Sequence, residues 1–407
     1  MPVAAGGFWT TFSITMPGMA SAAVDPSSER PADWELGPPP HPLRQPLKAL
    51  AWLVTFSAGG LTLLILVAVL AAIPVLNLLA LGWMLDAEGR VARSGRLRDG
   101  LPWLRVVPRL GVVAIGVWTW LLVVRLVAAA ADDAALVDPG SVTAAAWDRA
   151  RVIVAILVAV HLLFALAAGP SPMAFLRPIR NLRRVVAAAR AGRLWRDGTA
   201  AVRRLLDVLA PAATFRLGLG GFLGGLVWVA APTMLFAAAR TSDRPLAPLV
   251  SVVGGILLAV TLMWAPFLQA RYAATGRLAA FLDLGAVREW FRRAPLAMLA
   301  ALVLLLGLTL PLHLLKVAVP PRDAVWLLTP LFVLLILPGR LAVGWAAARA
   351  AARPGRAWLV TRIVAGIGCW VALAAYLGIL FLTPVLAALG TRVLFDHHAV
   401  LLPTPFL

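Results

Sequence analysis

The chain has 407 residues, 61% of them hydrophobic and only 14% charged, with a formal net charge of +19. A soluble domain averages about 45–50% apolar and about 25% charged residues, so this composition is not that of a soluble domain. The single cysteine, Cys369, excludes an intramolecular disulfide and a thiolate metal cluster; in an apolar run it reads as a small buried hydrophobe.

The apolar residues fall in continuous Leu/Val/Ala blocks of about 20, enough for a helix to cross a hydrocarbon layer of roughly 30 Å at 1.5 Å per residue. Spanning β-barrels show short alternating segments instead. The expected fold is therefore all-α, a polytopic transmembrane helix bundle of about eight spans. The arginines sit in short loops beside these blocks. The positive-inside bias accounts for that placement, and no nucleic-acid partner is expected.

Residues 1–46 form a proline-rich tail with no helical or strand period, read as disordered. Residues 1–24 lack a basic start followed by an unbroken apolar core, so no cleaved signal peptide is read. The apolar run from Ala49 to Met84 is 36 residues long, between one crossing and two. Pro74 offers a break. The first span is placed at about 50–73, and Val75 to Ser94 becomes an amphipathic helix lying along the membrane interface. The alternative is a tight helical hairpin over 49–84. Further spans are expected at about 110–131, 151–169, 217–239, 247–268, 295–316, 325–347 and 363–389. They pair into hairpin units at about 49–131, 151–239, 247–316 and 325–389, within a transmembrane domain of 47–390 followed by a short tail, 391–407.

Counted with Arg151, Lys316 and Arg340, which fall at span ends, the loops hold, in order, six, two, ten, two, five, two and five basic residues. The rich loops are expected on the cytoplasmic side of a bacterial inner membrane, which puts both termini outside. If the tail stays inside, 49–84 is the hairpin.

Each rich loop contains a Gly-Arg pair: Gly95-Arg96, Gly192-Arg193, Gly276-Arg277 and Gly355-Arg356, spaced by 97, 84 and 79 residues. Recurrence at a near-constant period marks a repeat architecture. The physical reading is four related helical hairpins. In each, an amphipathic helix on the basic face ends at a left-handed glycine cap before the chain re-enters the bilayer. Residues 55–105 carry Leu81-Gly-Trp, Arg90-Val-Ala-Arg, Gly95-Arg and Gly100-Leu-Pro-Trp103. This stretch resembles a bacterial and archaeal family of polytopic membrane proteins with no assigned activity, whose pattern has tyrosine where this chain has Trp83. The resemblance implies a membrane fold and no catalytic residue.

Polar groups at membrane depth are costly and default to functional candidates. Asn77 reads as interhelical glue. Arg125 snorkels to the surface or, on the sharper reading, pairs with Asp132 or Asp133. His161 makes an interhelical hydrogen bond or relays protons. His313 and Arg340 lie near span ends, where snorkelling suffices. Asp396-His397-His398 has no third or fourth ligand nearby, so no metal and no cofactor is expected. Gly221 and Gly225 form a G-x-x-x-G that reads as packing within this fold rather than between copies. No catalytic constellation is present. The expectation is a non-enzymatic membrane component whose basic face contacts anionic lipid headgroups at roughly 1 kcal/mol per nearby arginine. The alternatives are a small-solute or ion permease, with His161, Arg125 and Arg340 lining a path, and then a lipid-acting enzyme.

Overall fold

A computed structural model describes residues 39–101, 107–167, 172–193, 195–196, 199–200, 203, 207, 210–242, 244–317, 328–387, 390, 393–395 and 401. Among these residues the chain is all-helical. The helices are α1 (Pro46–Ala72), α2 (Asn77–Ser94), α3 (Val107–Val137), α4 (Val142–Ala167), α5 (Pro172–Leu176) and α6 (Pro178–Arg190). They continue as α7 (Pro211–Thr241), α8 (Ala247–Thr275), α9 (Leu284–Arg293), α10 (Pro295–Val317), α11 (Leu328–Ala352) and α12 (Leu359–Leu386). Eight helices, α1, α3, α4, α7, α8, α10, α11 and α12, are long and apolar enough to cross a membrane. They coincide with the eight expected spans. Most are longer than expected; α3 and α7 have 31 residues, and helices of that length project beyond the hydrocarbon layer or tilt within it. Proline in the first turn of α1, α6, α7 and α8 sets φ where the N–H has no intrahelical partner.

The largest departure from the expected fold is α2. It does not lie on the interface. The chain turns at residues 73–76, where Val75 takes φ 70°, and α2 enters the centre of the bundle against α1, α7, α8 and α11. Its residues Ala80, Leu81, Met84, Leu85, Ala87 and Val91 are buried. The contacts that hold it are backbone to backbone. A Cβ on Gly82 would sit 1.9 Å from the Thr214 carbonyl oxygen of α7, and one on Gly89 would sit 2.3 Å from that of Ala273 in α8. A Cβ on Gly344 of α11 would sit 2.5 Å from the Glu88 carbonyl oxygen. Such small residues substitute for a hydrophobic driving force between helices, which lipid does not supply. The run 49–84 is thus two helices packed on one another, as the hairpin alternative required.

The tight sequential pairs are α3 with α4, α7 with α8 and α10 with α11. Each pair is joined by an arginine-poor connection, so pairing is one span out of step with the expected units at 151–239, 247–316 and 325–389. The short connections 138–141 and 242–246 force antiparallel neighbours. Two of the basic connections carry α6 or α9, which move the chain sideways to the next pair. The large core gathers Leu81, Leu85, Leu258, Leu268, Phe267, Met298, Leu302 and Leu373, among others. Cys369 is buried in it, as expected.

Candidate functional site

The centre of the bundle holds a polar network on three helices. One guanidinium nitrogen of Arg340 (α11) donates to Glu88 (α2) at 3.1 Å and to Oε1 of Gln269 (α8) at 3.1 Å. The Gln269 amide nitrogen donates to the carbonyls of Gly221 (α7) at 3.1 Å and Leu401 at 3.0 Å. The Glu88 and Arg340 side chains are 2% and 3% exposed. Two charges so buried are stable only when paired and hydrogen-bonded. Here the pair joins residues 252 apart in the chain. Arg340 therefore does not snorkel; it lies midway along α11, enclosed by α2 and α8, so its charge turns inward.

His313 departs from the expected snorkelling in the same way. It is buried, with Nε2 3.1 Å from the Thr383 hydroxyl of α12. His161 sits in a separate small cluster: Nε2 is 3.1 Å from the Phe175 carbonyl oxygen, and the ring packs on Trp120 at 4.6 Å. This is the interhelical polar contact expected of it. Asn77 is buried at the start of α2, where its backbone N–H donates to Ile73. Arg125 lies exposed on α3, and no carboxylate among the described residues pairs with it; Asp132 pairs with Arg151 at 3.6 Å instead. His161 and Arg125 therefore do not converge with Arg340 on one path. Asp396, His397 and His398 lie outside the described residues. Among the described residues no group of three or more potential ligands could hold a metal ion.

The glycines of α7 pack within the chain, as expected. Gly218 approaches the backbone of α2, while Gly220, Gly221 and Gly224 face Tyr272, Leu85 and Phe281.

The second feature is the arginine-rich end. Gly95 and Gly276 end α2 and α8 in the left-handed conformation, at φ 71° and 69°. Both are followed by a 3-10 turn, Leu97–Gly100 and Leu278–Leu282. In both, the arginine N–H is held by the hydroxyl two residues before it, Arg96 by Ser94 at 3.2 Å and Arg277 by Thr275 at 3.4 Å. Gly192-Arg193 differs: it closes the amphipathic helix α6, with Gly192 at φ 64°. Gly355-Arg356 lies in an irregular loop without positive φ, because Pro354 follows the end of α11 and forecloses a glycine cap there.

A different repeat, not apparent from the Gly-Arg pairs, relates α3–α6 to α7–α9. Trp120 Nε1 donates to the Phe175 carbonyl at 2.9 Å, and Trp228 Nε1 to that of Phe281 at 3.1 Å. One turn before each tryptophan a glycine, Gly116 or Gly224, makes room for the phenylalanine ring. A buried residue six positions on, Asn181 or Val287, then anchors the amphipathic helix.

The four Gly-Arg arginines are exposed. Arg93 reaches across to cap the end of α8 through the Ala273 and Ala274 carbonyls. Between α9 and the α11–α12 loop, Glu289 holds Arg293 at 3.2 Å and Arg356 at 3.4 Å. The hydrogen bond from Arg293, with that from Arg356, holds the Glu289 carboxyl below its ordinary range. On α6, exposed Ile179, Leu182 and Val186 share the helix with exposed Arg180, Arg183, Arg184 and Arg190. No carboxylate among the described residues reaches those arginines.

No protein-family description, curated protein or solved structure matches this chain. What it does must therefore be argued from the geometry above.

Proposed function

We propose that this chain is a non-enzymatic, multi-pass component of a bacterial inner membrane, whose arginine-rich end is cytoplasmic and contacts anionic lipid headgroups. The observation that carries the reading is α6. Its apolar side chains and its unneutralised arginines are both exposed, the distribution of a helix lying at a lipid–water boundary. Arg96, Arg193 and Arg277 extend the same basic surface, at roughly 1 kcal/mol per arginine near an anionic leaflet. The buried Glu88–Arg340 pair is the fastener that keeps this surface assembled.

The test is lipid retention by the full-length protein purified in a neutral detergent at low salt. Phosphatidylglycerol retained in preference to phosphatidylcholine, with the preference lost as salt rises, is the expected result. Equal retention of the two at low salt would overturn the reading.

One observation favours a permease as the second reading. Gln269 and Arg340 follow helix-interior prolines, Pro266 and Pro338, in continuous helices, and polar groups at weak points of spanning helices are how many transporters build a central site. That reading predicts loss of an uptake activity in Arg340→Lys protein that remains folded. Unchanged uptake of every solute the wild type carries would exclude it.

A further inference from the structure

Helix α10 packs against both α11 and α12, and at the arginine-rich end its first turns lie between the end of α11 and the start of α12. The cleft left there has a volume of about 480 Å³. Ala294, with Pro295 and Ala297 of α10, forms its buried floor, and Leu296 and Ala300 line an exposed apolar flank. Trp345 and Arg349 in the last turns of α11, with Arg353 just beyond its end, form one wall. The Arg349 guanidinium lies 5.4 Å from the Trp345 ring centre, which holds the charge at the mouth. Arg353 is tied to the end of α9 by a reciprocal exchange in which each of Arg293 and Arg353 donates to the other's carbonyl at 3.3 Å. The neighbouring acid, Glu289, is already engaged with Arg292, Arg293 and Arg356. No carboxylate among the described residues neutralises Arg349 or Arg353. The floor is the first turn of α10, whose positive dipole end adds to the attraction for an anion.

We infer that this cleft is a discrete site for one anionic phospholipid. Its phosphate sits between Arg349 and Arg353 at the mouth, and an acyl chain runs along Leu296 and Ala300. Charge complementarity and the apolar flank select this occupant. The exposed Trp358, Leu359 and Val360 beside the cleft are the side chains of a membrane interface and set its mouth at headgroup level, next to the lipid chains. The inference rests on the proposed anionic-lipid contact and narrows it to one place.

Native mass spectrometry of the full-length protein with added phosphatidylglycerol or phosphatidylcholine tests it. The wild type is expected to keep one phosphatidylglycerol after the weakly held lipids are stripped. Arg349→Gln/Arg353→Gln should lower that affinity about thirtyfold, the loss of two arginine–headgroup contacts. Ala300→Trp, which fills the cleft and keeps both charges, should also expel the lipid. Arg244→Gln, in the short α7–α8 connection away from the basic surface, should retain it. Retention of the tight lipid in both cleft variants overturns the inference and leaves the broader reading standing. Absence of any phosphatidylglycerol preference in the wild type overturns both. A monodisperse elution profile for each variant separates loss of the site from loss of the fold.

Discussion

Replacing Glu88 with glutamine removes one charge from a pair that has almost no access to solvent. The two charges lie 3.1 Å apart, which at an effective dielectric constant of about 20 corresponds to an attraction of about 5 kcal/mol. The cost of dehydrating both ions offsets much of this, so the net value of the pair is smaller. The loss from breaking it is not, because Arg340 is left charged and enclosed, and single substitutions of such pairs cost about 3–5 kcal/mol. Replacing both partners with apolar groups, Glu88→Leu with Arg340→Met, removes the stranded charge as well. That double variant should lie within about 2 kcal/mol of wild type. Equilibrium unfolding in detergent measures Glu88→Gln, and a double-mutant cycle measures Glu88→Leu and Arg340→Met singly and together. If Glu88→Gln unfolds like wild type, or if the double variant loses the sum of the two single losses, the buried pair is not the fastener described here.

Gly82→Val should prevent assembly, because its side chain would have to enter the backbone of α7 at Thr214; recovery of a folded, monodisperse protein contradicts this. Trp228→Phe leaves the Phe281 carbonyl without its donor and should cost about 1–3 kcal/mol, with Trp120→Phe behaving alike if the two units are equivalent. Both are read from unfolding midpoints. Gly276→Ala forces an alanine into a left-handed conformation and should cost about 1–2 kcal/mol, whereas Gly355→Ala, without positive φ, should be close to neutral. Glu289 carries a pH prediction. Its carboxyl is held below its ordinary value, so its grip on Arg293 and Arg356 is complete at neutral pH and is lost as pH falls through the lowered value. Hydrogen exchange at the Ala357 amide, which donates to the Arg292 carbonyl at 2.8 Å, should accelerate on that acid limb and not on the alkaline side. A rate that does not change with acidification, beyond the intrinsic pH dependence of exchange, would refute the link.

The eight spans were legible because the bilayer demands long uninterrupted apolar blocks, and such blocks leave little room for another reading. The position of α2 was not. Asp86, Glu88, Arg90 and Arg93 give it the composition of an interface helix, and only packing distinguishes a charge facing water from one facing a partner. Glu88 meets Arg340 252 residues later, a separation that local reasoning does not bridge. One signal was available: Gly82 and Gly89, seven residues apart, lie on one helical stripe with Leu81, Leu85 and Glu88. A small-residue stripe of that kind marks a face pressed against other helices. Gln269, the one amide side chain in α8, was the second. The Gly-Arg pairs pointed to real helix ends at Gly95, Gly192 and Gly276. They misaligned the repeat, because a glycine cap recurs wherever a helix stops, whereas the tryptophan-to-carbonyl bond over a phenylalanine recurs only where two units fold alike.

The account depends above all on the arginine-rich end being the cytoplasmic one. Single cysteines placed at Ser94, Thr275 and Ser141 in a Cys369→Ala background, probed from outside intact cells with an impermeant thiol reagent, test this directly. Labelling at 141 alone, with 94 and 275 reacting only after permeabilisation, is the predicted result. Labelling at 94 and 275 in intact cells would turn the basic face outward and contradict the account.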